Sequence, residues 1–523
     1  MENKADLKSI LPYLPLVVQS SSLVWPPPVA QELETMSRGP SHSKVNSGKA
    51  LASRITGMRK SVSLDPSCLA TFALQGYALF FDEEIPRDES AKWFGEVVPA
   101  LAGLLLQLPS MLEIHYSNAD HVLDGTTTGL RILSPQEAGI VFLSQELIAA
   151  LLACSFFCLF PKADRASRHL QGINFDELFS FLYMRCLREQ KQRIRCIIHY
   201  FERICRCMPT GFVSFERKVL PLAYHPLLMS YPDADFWHKS TVPLCSIEVH
   251  TSGFIEEQPG KALEVDFADE YFGGLALRNG CLQEEVRFMI NPELIAGMLF
   301  LSRMDDNEAI EIVGVERFSQ YVGYDYSFQF AGDYTDKKEL DFLRRRKTRV
   351  IAIDAIPLPG LRQYKREGLL REVNKAFCGY LQRNIYQVNR SHRMKLEAHD
   401  SLESASVSQE LQSPHQKERL YCDTEEKIGV ATGNWGCGVF GGDPELKTMI
   451  QWLAASQSGR PFMSYYTFGL EALQNLDQVT KWIASQKWTV GYLWSKLVEH
   501  TSERLNGRTQ ASLFSWLIPS CSA

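Results

Sequence analysis

The chain has 523 residues, more than the ~250–300 at which a single core stops growing, so the sequence predicts at least two domains. Its formal net charge of −6 gives no general attraction to nucleic acids or acidic membranes, so an anionic substrate needs a local binding site. The 13 cysteines show no pairing rhythm, which indicates reduced thiols inside a cell and argues against a secreted disulfide framework.

The N-terminal stretch is rich in Ser, Pro and Lys, as in SSSLVWPPPVAQE and SRGPSHSKVNSGK. This composition predicts a disordered tail over residues 1–60. Prolines interrupt the apolar run ILPYLPLVV, and charges of both signs precede it, so a signal peptide is not expected.

Residues 61–243 are predicted to form a helical accessory domain. Four segments carry apolar residues at mixed spacings of three and four, as on one face of a helix: EVVPALAGLLLQLP, SQELIAALLACSFFCLF, DELFSFLYMRCLREQ and QRIRCIIHYFERICRC. The most apolar segment, residues 139–160, contains Gln145 and Glu146, which favours a buried helix over a membrane span.

Residues 244–523 predict an α/β domain with helices packed on a mixed sheet. Helical segments alternate with short β-rich segments bounded by turn residues: CSIEVHTSG, KALEVDFA, AIEIVGVERFS, TRVIAIDAIP, KIGVATG and PFMSYYTFG. The polar, Ser-rich span 395–418 within this domain is predicted to be a disordered insertion.

Two glycine-containing segments are the best candidates for chemistry. In FGGLALRNGCLQEEVRF, residues 272–288, two adjacent carboxylates follow a glycine turn; a helix start favoured by the macrodipole is the simpler explanation of such a pair alone. In GVATGNWGCGVFGGDPELK, residues 429–447, a strand, a glycine loop and a helix with Asp443 as N-cap predict a backbone cradle for phosphate. An ordinary tight turn is the alternative for this second segment.

The second segment also contains the spacing G-x-G-x-x-G, at Gly436, Gly438 and Gly441. A dinucleotide-binding unit requires an acidic residue roughly 20 positions later, and this chain has PFMSYYTFG there. The only Lys-Thr pair after the glycines, Lys447-Thr448, does not directly follow a glycine as a P-loop requires, which excludes a P-loop. An NAD-dependent oxidoreductase is therefore an alternative that rests on three glycines only.

Aromatic residues flank both segments, namely Tyr321, Tyr324 and Phe468. Each of them alone is more often part of a core than of a site. Together with a phosphate cradle and a carboxylate pair, they predict a pocket for a nucleotide diphosphate with an aromatic stacking surface.

The segment VDFADEYFGGLALRNGCLQEEVRF, followed about 150 residues later by GVATGNWGCGVFGGD, closely resembles the poly(ADP-ribose) glycohydrolase family. That family's signature is a glycine triplet followed by Gln-Glu-Glu, and the resemblance extends from about residue 170 to beyond 490, with a helical half similar to that of plant members. It implies an α+β / α/β chain: a helical accessory domain, then a macrodomain-like three-layer α/β/α domain with a mixed sheet. It implies no metal and no cofactor.

The resemblance also implies an activity and a set of site residues. The activity is hydrolysis of the ribose–ribose O-glycosidic bonds of poly(ADP-ribose), which releases ADP-ribose. Glu285 would be the general acid and base, while Glu284 and Asp266 would line the catalytic site. The implied substrate contacts are Ile255, Glu256 and Gln283 beside adenine, Phe468 stacked on the base, Tyr324 over the ligand, and Asn434, Trp435, Gly436, Cys437, Gly438 and Val439 along the diphosphate.

Two positions depart from the family pattern. Leu275 replaces the third glycine, where it would narrow the approach of the terminal ribose, and Asp269, counted here as substrate-binding, replaces an Asn. The alternative to an enzyme is therefore a catalytically weak or inactive ADP-ribose reader. The intact pair of Glu284 and Glu285 favours the enzyme, because a reader does not need it.

The expected partner is poly(ADP-ribose) on modified proteins, bound by a monomer without sequence-specific nucleic acid contacts or a membrane. The expected location is the nucleus, the cytoplasm or both. The basic run RRRKTR, residues 344–349, is predicted to be a solvated turn or helix end rather than a nuclear address.

Overall fold

The computed structural model describes residues 5–61, 69–123, 125–161, 165–185, 187–224, 228–258, 261–382 and 428–518. The predicted insertion at 395–418 lies outside these residues. The cysteines within them are free thiols.

The strands of the described residues fall into two hairpins and one large sheet. Their bounds are β1 (Val17–Gln19), β2 (Ser22–Val24), β3 (Gly139–Ser144), β4 (Phe212–Val219), β5 (Ser246–His250), β6 (Ala262–Ala268), β7 (Glu308–Val313), β8 (Ser319–Val322), β9 (Gln329–Asp333), β10 (Arg349–Asp354), β11 (Gly429–Gly433) and β12 (Phe462–Tyr466). β1 pairs with β2, β8 pairs with β9, and the other eight strands form one sheet.

The helices surround this sheet. Their bounds in the described residues are Ala5–Ile10, Pro27–Ser37, Pro40–Ser43, Gly48–Ser61, Ala73–Leu79, Arg87–Lys92, Val98–Asn118, Gln145–Phe156, Asp176–Arg185, Arg188–Arg206, Ala234–His238, Gln283–Ile290, Arg366–Tyr380, Pro444–Gln457, Leu476–Ser485, Val490–Leu505 and Leu513–Leu517.

The eight-stranded sheet has the order β3-β4-β7-β10-β6-β11-β12-β5. The five strands from β10 to β5 run parallel, whereas β3, β4 and β7 are joined antiparallel at the other side. The chain adds β10 on one side of β6 and later adds β11 on the other side. Such a switch point at the carboxyl ends of parallel strands is the usual ligand position in α/β folds.

Two cores lie on opposite faces of this sheet. Alternate residues of β10 enter them, Val350 and Ala352 the first, Ile351 and Ile353 the second, because strand side chains alternate between faces. Helices cover both faces, so the predicted layered α/β/α arrangement with a mixed sheet is confirmed.

The helical accessory domain predicted at 61–243 also contains two strands, β3 and β4, which extend the sheet. Nearly all of β3 is buried, and its apolar run continues directly into the helix Gln145–Phe156, which Ser144 caps by accepting a hydrogen bond from the Leu147 N–H at 3.2 Å. A short, fully buried strand cannot be told from a helix by periodicity. The segment 139–160 is thus a strand and a buried helix.

The predicted disordered tail at 1–60 is also wrong, because the described residues 5–61 are folded. Leu7, Leu33 and Leu51 are buried in the first core, and the Leu23 N–H donates to Glu113 Oε1 at 3.0 Å. Prolines stand in the first turns of the helices Pro27–Ser37 and Pro40–Ser43, where proline is well tolerated. The prediction from composition was wrong because it took prolines that mark helix starts as a sign of disorder.

Within the described residues, one helical run, Arg87–Asn118, is long and apolar enough by composition to cross a membrane. A single such run is weak evidence, since the core helix of a soluble protein passes the same test. Its Leu101, Leu105 and Leu108 are buried, and its main helix packs against Pro27–Ser37 and Gln145–Phe156. Its apolar character therefore fits a place in the core.

The basic run at 344–349 is a turn that leads into β10, as predicted, but it is only partly solvated: Arg344 and Lys347 are exposed, whereas the two arginines between them are paired inside the protein. Arg345 is buried, lies 2.7 Å from Asp341 and donates to the Ser214 hydroxyl at 2.7 Å. Arg346 pairs with Glu316 at 3.0 Å. These arginines are internal ion-pair partners that join the turn to the sheet.

Candidate active site

A cavity of about 540 Å³ opens at the carboxyl ends of β6, β11 and β12. Its walls are the loop after β6 with the start of the helix Gln283–Ile290, the tip of the β8–β9 hairpin, and the loops after β11 and β12. Every predicted site residue except Asp266 lines it: Ile255, Glu256, Asp269, Gln283, Glu284, Glu285, Tyr324, Asn434, Trp435, Gly436, Cys437, Gly438, Val439 and Phe468.

Glu285 stands in the first turn of its helix and is 7% exposed. One carboxylate oxygen accepts a hydrogen bond from the Leu282 N–H at 2.9 Å, and the other accepts one from the Leu275 N–H at 3.1 Å. The first bond caps the helix, as in a capping box. The second bond, from the Leu275 N–H, attaches the glycine loop to Glu285. A role at the helix start therefore explains only one of the two hydrogen bonds that Glu285 accepts.

Glu284 is also buried and has its own pair of donors. Its carboxylate accepts from the Gly273 N–H at 2.7 Å and from the Asp269 N–H at 2.9 Å. Burial raises the pKa of Glu284 well above its usual value, and the nearby charges of Asp266 and Glu285 raise it further. Glu284 therefore favours its protonated form.

Glycine is required where this loop meets the two carboxylates. Gly274 has φ +48, and a Cβ there would lie 2.4 Å from Glu284 Oε2 and 3.0 Å from Glu285 Oε1. A Cβ at Gly280 would lie 2.6 Å from the Glu285 carboxyl carbon. The two carboxylates thus occupy the space that a side chain at these positions would need.

Asp266 does not line the cavity, contrary to the prediction. Along β6, Leu263 and Val265 enter the second core, so Asp266 points to the other face. Within the described residues, neither of its carboxyl oxygens accepts a hydrogen bond. Burial raises its pKa to about 7, against the opposing charge of Arg287. Asp266 lies behind the reacting carboxylates.

Gln283 lines the cavity, but the β6 backbone engages both ends of its amide. Its Oε1 accepts from the Phe267 N–H at 2.8 Å, and its Nε2 donates to the Val265 carbonyl at 3.0 Å. The side chain fastens the helix start to β6. Contact with adenine stays a prediction.

The aromatic wall contains the predicted Phe468 and an unpredicted neighbour, Phe254. The Phe254 ring centroid lies 5.2 Å from that of Tyr321 and 6.0 Å from that of Phe468. The Tyr321 hydroxyl donates to the Glu256 carboxylate, and Ile255 is buried beside it. No pattern in the sequence indicated that Phe254 belongs to the site, and only these ring contacts show that it does.

Phe468 itself has an unusual backbone. Its φ is +51, and its side chain is 51% exposed at the cavity. A bulky residue with positive φ is a strained outlier that points to a functional constraint. The conformation holds an apolar ring open toward the cavity, as a stacking surface requires.

Tyr324 covers the carboxylates from the β8–β9 hairpin. Burial of its hydroxyl raises its pKa to about 12, and the charge of Glu285 contributes. Its N–H donates to the Ser327 hydroxyl at 2.9 Å, which stabilises the hairpin tip. Tyr324 and Glu285 are therefore close neighbours at the cavity. Closure of Tyr324 over the ligand stays a prediction.

The loop after β11, residues 434–442, folds as a compact turn. The Cys437 N–H donates to the Asn434 carbonyl at 3.0 Å, and the Gly442 N–H donates to the Gly436 carbonyl at 2.9 Å. Asp443 caps the next helix, as predicted, by accepting from the Glu445 N–H at 3.0 Å. Burial raises the pKa of the Cys437 thiol to about 12.

Two matching profiles and two relatives that match over nearly their full length decide the family. The profile described as Poly (ADP-ribose) glycohydrolase, helical domain, matches residues 85–217, and that described as Macro domain fold matches residues 234–475. The chain is 69% identical over 524 residues to "Probable poly(ADP-ribose) glycohydrolase 2" of Arabidopsis thaliana, with 100% of both chains covered. This chain belongs to the poly(ADP-ribose) glycohydrolase family.

Two further relatives support the same assignment. "Poly(ADP-ribose) glycohydrolase 1" of Arabidopsis thaliana is 55% identical, with 99% of this chain and 98% of the relative covered. "Poly(ADP-ribose) glycohydrolase 1" of Caenorhabditis elegans is 27% identical, with 68% of this chain and 39% of the relative covered. The resemblance to plant members of the family is thereby confirmed.

Within this family pattern, the two departures have different surroundings. The Leu275 side chain is 45% exposed and lines the cavity, while its N–H holds Glu285. Asp269 accepts a hydrogen bond from the Tyr271 N–H at 2.9 Å, and burial raises the pKa of its carboxyl. The Asp269 carboxylate is thus part of the loop's own turn.

The glycohydrolase site has one support that the sequence did not single out, Lys447. Its ammonium is buried behind the 434–442 loop, 2.6 Å from a Glu372 carboxylate oxygen and 4.1 Å from the Trp435 ring centroid. A Cβ on Gly436 would lie 3.0 Å from it. Trp435 is itself fully buried and donates its indole N–H to the Ile353 carbonyl at 2.8 Å, so its ring supports the loop from behind.

Among the described residues, no group of three or more His, Cys, Asp or Glu side chains could hold a metal ion. The cavity lining includes carboxylates, aromatic rings, the side-chain amides of Gln283 and Asn434, the Cys437 thiol and Arg287.

Proposed function

We propose that this glycohydrolase cleaves ribose–ribose O-glycosidic bonds of poly(ADP-ribose) and that Glu285 is its general acid and base. The observation that supports this most is the buried pair of Glu284 and Glu285 at the cavity, each held by two backbone N–H donors. A protein that only binds ADP-ribose has no need to bury two carboxylates beside the ligand, because their desolvation is costly.

The chemistry follows from these groups. Glu285, when protonated, donates its proton to the departing oxygen as the glycosidic C–O bond breaks. The positive charge that develops at the ribose is stabilised by the negative charge that this proton transfer leaves on Glu285. A water molecule then forms the new C–O bond and returns a proton to Glu285, which restores the starting state.

The rest of the cavity is suited to an ADP-ribose unit. Phe468 and Phe254 offer aromatic surface for adenine, and base stacking on such rings contributes roughly 1–3 kcal/mol. The 434–442 loop precedes the N-terminus of the helix Pro444–Gln457, where backbone N–H groups and the helix dipole favour a diphosphate. These contacts are separate from the reacting carboxylates.

The proposal extends to the setting of the reaction. The substrate is polymer attached to modified proteins, and the chain acts as a monomer in the nucleus, the cytoplasm or both, without sequence-specific nucleic acid binding or a membrane. The net charge of −6 and the internal pairing of Arg345 and Arg346 support the view that the basic run does not serve nucleic acid binding.

The test is Glu285→Gln, which keeps the shape of the side chain and removes the acid. Turnover of labelled poly(ADP-ribose) should fall at least ~100-fold, as is typical for loss of general acid–base catalysis, while calorimetry should show unchanged affinity for ADP-ribose. Glu293→Gln is the matched control, because Glu293 is also buried and has a pKa raised to about 8 by burial, but it does not line the cavity.

Two outcomes would contradict the proposal. A folded Glu285→Gln variant with wild-type turnover would remove Glu285 from its role. Wild-type protein that binds ADP-ribose but releases none from polymer would favour the reader.

A further inference from the structure

Arg193, in the middle of the helix Arg188–Arg206, reaches the back of the catalytic site. It is completely buried. One terminal nitrogen donates to the Ala276 carbonyl, and the other donates to the Arg278 carbonyl at 3.1 Å and to Gln190 Oε1 at 2.8 Å. Both carbonyls belong to residues 269–282, which we name the carboxylate loop because its N–H groups hold Glu284 and Glu285.

Other side chains of the helical half bind the same loop. The Gln190 amide donates to the Arg278 carbonyl at 2.9 Å and to the Leu178 carbonyl of its own half at 2.7 Å. The Gln171 amide donates to the Tyr271 carbonyl at 2.8 Å, and Glu177 pairs with the Arg278 guanidinium at 2.7 Å. The helical half thus binds carbonyls of the loop whose N–H groups face the carboxylates.

The environment of Arg193 is unusual for a buried cation. Among the described residues, no carboxylate lies within ion-pair distance of it; its acceptors are neutral carbonyl and amide oxygens. A buried charge is costly unless it is well hydrogen-bonded. Burial lowers the pKa of Arg193, while interactions with the nearby Cys281 and Glu285 oppose that effect. The planar guanidinium of Arg193 can donate to two carbonyls at once with fixed geometry, which the ammonium of a lysine could not do.

We propose that Arg193 is a positioning residue for glycoside hydrolysis. It fixes the carbonyls of the carboxylate loop, and the loop's Gly273 and Leu275 N–H groups then hold Glu284 and Glu285 where the substrate needs them. The inference rests on the proposed function of the cavity. The helical half would then contribute to catalysis, because its Arg193 holds the loop backbone and the loop backbone holds the carboxylates.

The test compares Arg193→Met with Arg59→Met in the full chain. Arg59 is also buried and donates to a main-chain carbonyl, that of Cys158, but within the helical half and away from the loop. Arg193→Met should lower kcat on poly(ADP-ribose) by on the order of 100-fold, the effect of a small misplacement of catalytic groups. KM and the Kd for ADP-ribose should stay near wild-type values, because the adenine and diphosphate contacts lie on other loops.

The control and a conservative variant separate positioning from stability. Arg59→Met should lower Tm but keep kcat at temperatures where it is folded. Arg193→Lys should recover part of kcat, since an ammonium still donates to one carbonyl. If Arg193→Met stays folded with wild-type kcat, or if both methionine variants lose kcat in proportion to their loss of Tm, the inference is wrong.

Amide hydrogen exchange tests the same inference without activity. Arg193→Met should accelerate exchange at residues 273–282, and Arg59→Met should not. Unchanged exchange there in Arg193→Met would overturn the positioning role even if the wild-type protein proved inactive on polymer. Inactive wild-type protein with accelerated exchange in the variant would instead contradict the proposed function and leave the link between Arg193 and the loop standing.

Discussion

The carboxylate loop and the 434–442 loop both carry several glycines, but they use them for different purposes. In the carboxylate loop, Gly274 and Gly280 leave room for the Glu284 and Glu285 carboxylates. In the 434–442 loop, Gly436 leaves room for Lys447 behind it, whereas a Cβ on Gly438 would meet open space. Each glycine in a glycine-rich segment can thus be needed for a different reason, and the neighbouring atoms decide which of these positions tolerate a side chain.

The supports behind the two loops also differ. Arg193 holds carbonyls of the loop whose N–H groups hold the two acids, and no ion pair satisfies its charge among the described residues. Lys447 is paired with Glu372 and lies behind the loop expected to take the diphosphate. Arg193 thus supports the loop that holds the two acids, and Lys447 places a cation behind the loop expected to take the diphosphate. We therefore expect substitutions around the first loop to lower turnover and substitutions around the second loop to lower affinity.

Gly274→Ala should give the largest effect. The added Cβ would lie 2.4 Å from Glu284 Oε2, at a φ of +48 that disfavours alanine, so we expect kcat to fall by ~100-fold or more through displaced carboxylates. Gly360→Ala is the matched control, because Gly360 has φ +49 and no atom within 4 Å of its added Cβ. Initial rates on labelled polymer measure both. Equal losses in the two variants would assign the effect to backbone strain instead of the clash.

Phe468→Ala should come next and should act on affinity. If Phe468 stacks on adenine, calorimetry with ADP-ribose should show a loss of roughly 1–3 kcal/mol, with Tm little changed because the ring is half exposed. Phe342→Ala removes another exposed phenylalanine that does not line the cavity and should leave the Kd unchanged. Unchanged affinity in folded Phe468→Ala would rule out the stacking role.

Lys447→Met should have a smaller effect that depends on the ligand. We expect about a 10-fold weaker Kd for ADP-ribose, or about 1.4 kcal/mol, and no change for adenosine, which lacks the diphosphate. Lys375→Met is the control, since Lys375 is buried 2.6 Å from an Asp354 carboxylate oxygen but does not touch the loop. An equal loss for both ligands would show that Lys447 supports the fold of the pocket and not its charge.

Much of the site could be predicted because its residues are close together in the chain. Glu284 and Glu285 follow their glycine turn closely, and Asp443 follows the 434–442 loop, so each motif can be recognised in one continuous stretch of sequence. Phe254, Arg193 and Lys447 could not be predicted in their roles. Each is an ordinary residue whose importance comes from what packs against it.

The sequence by itself determined the family, the alternation of strands and helices after residue 243, and the pairing of acids with a second glycine-rich loop, because these depend on local periodicity and on short motifs. Only the tertiary structure decided that the N-terminal residues fold, that β3 and β4 join the sheet, and that Asp266 does not line the cavity. Those features depend on which faces become buried against distant parts of the chain. Burial is a property of the assembled layers, so a local pattern does not contain it.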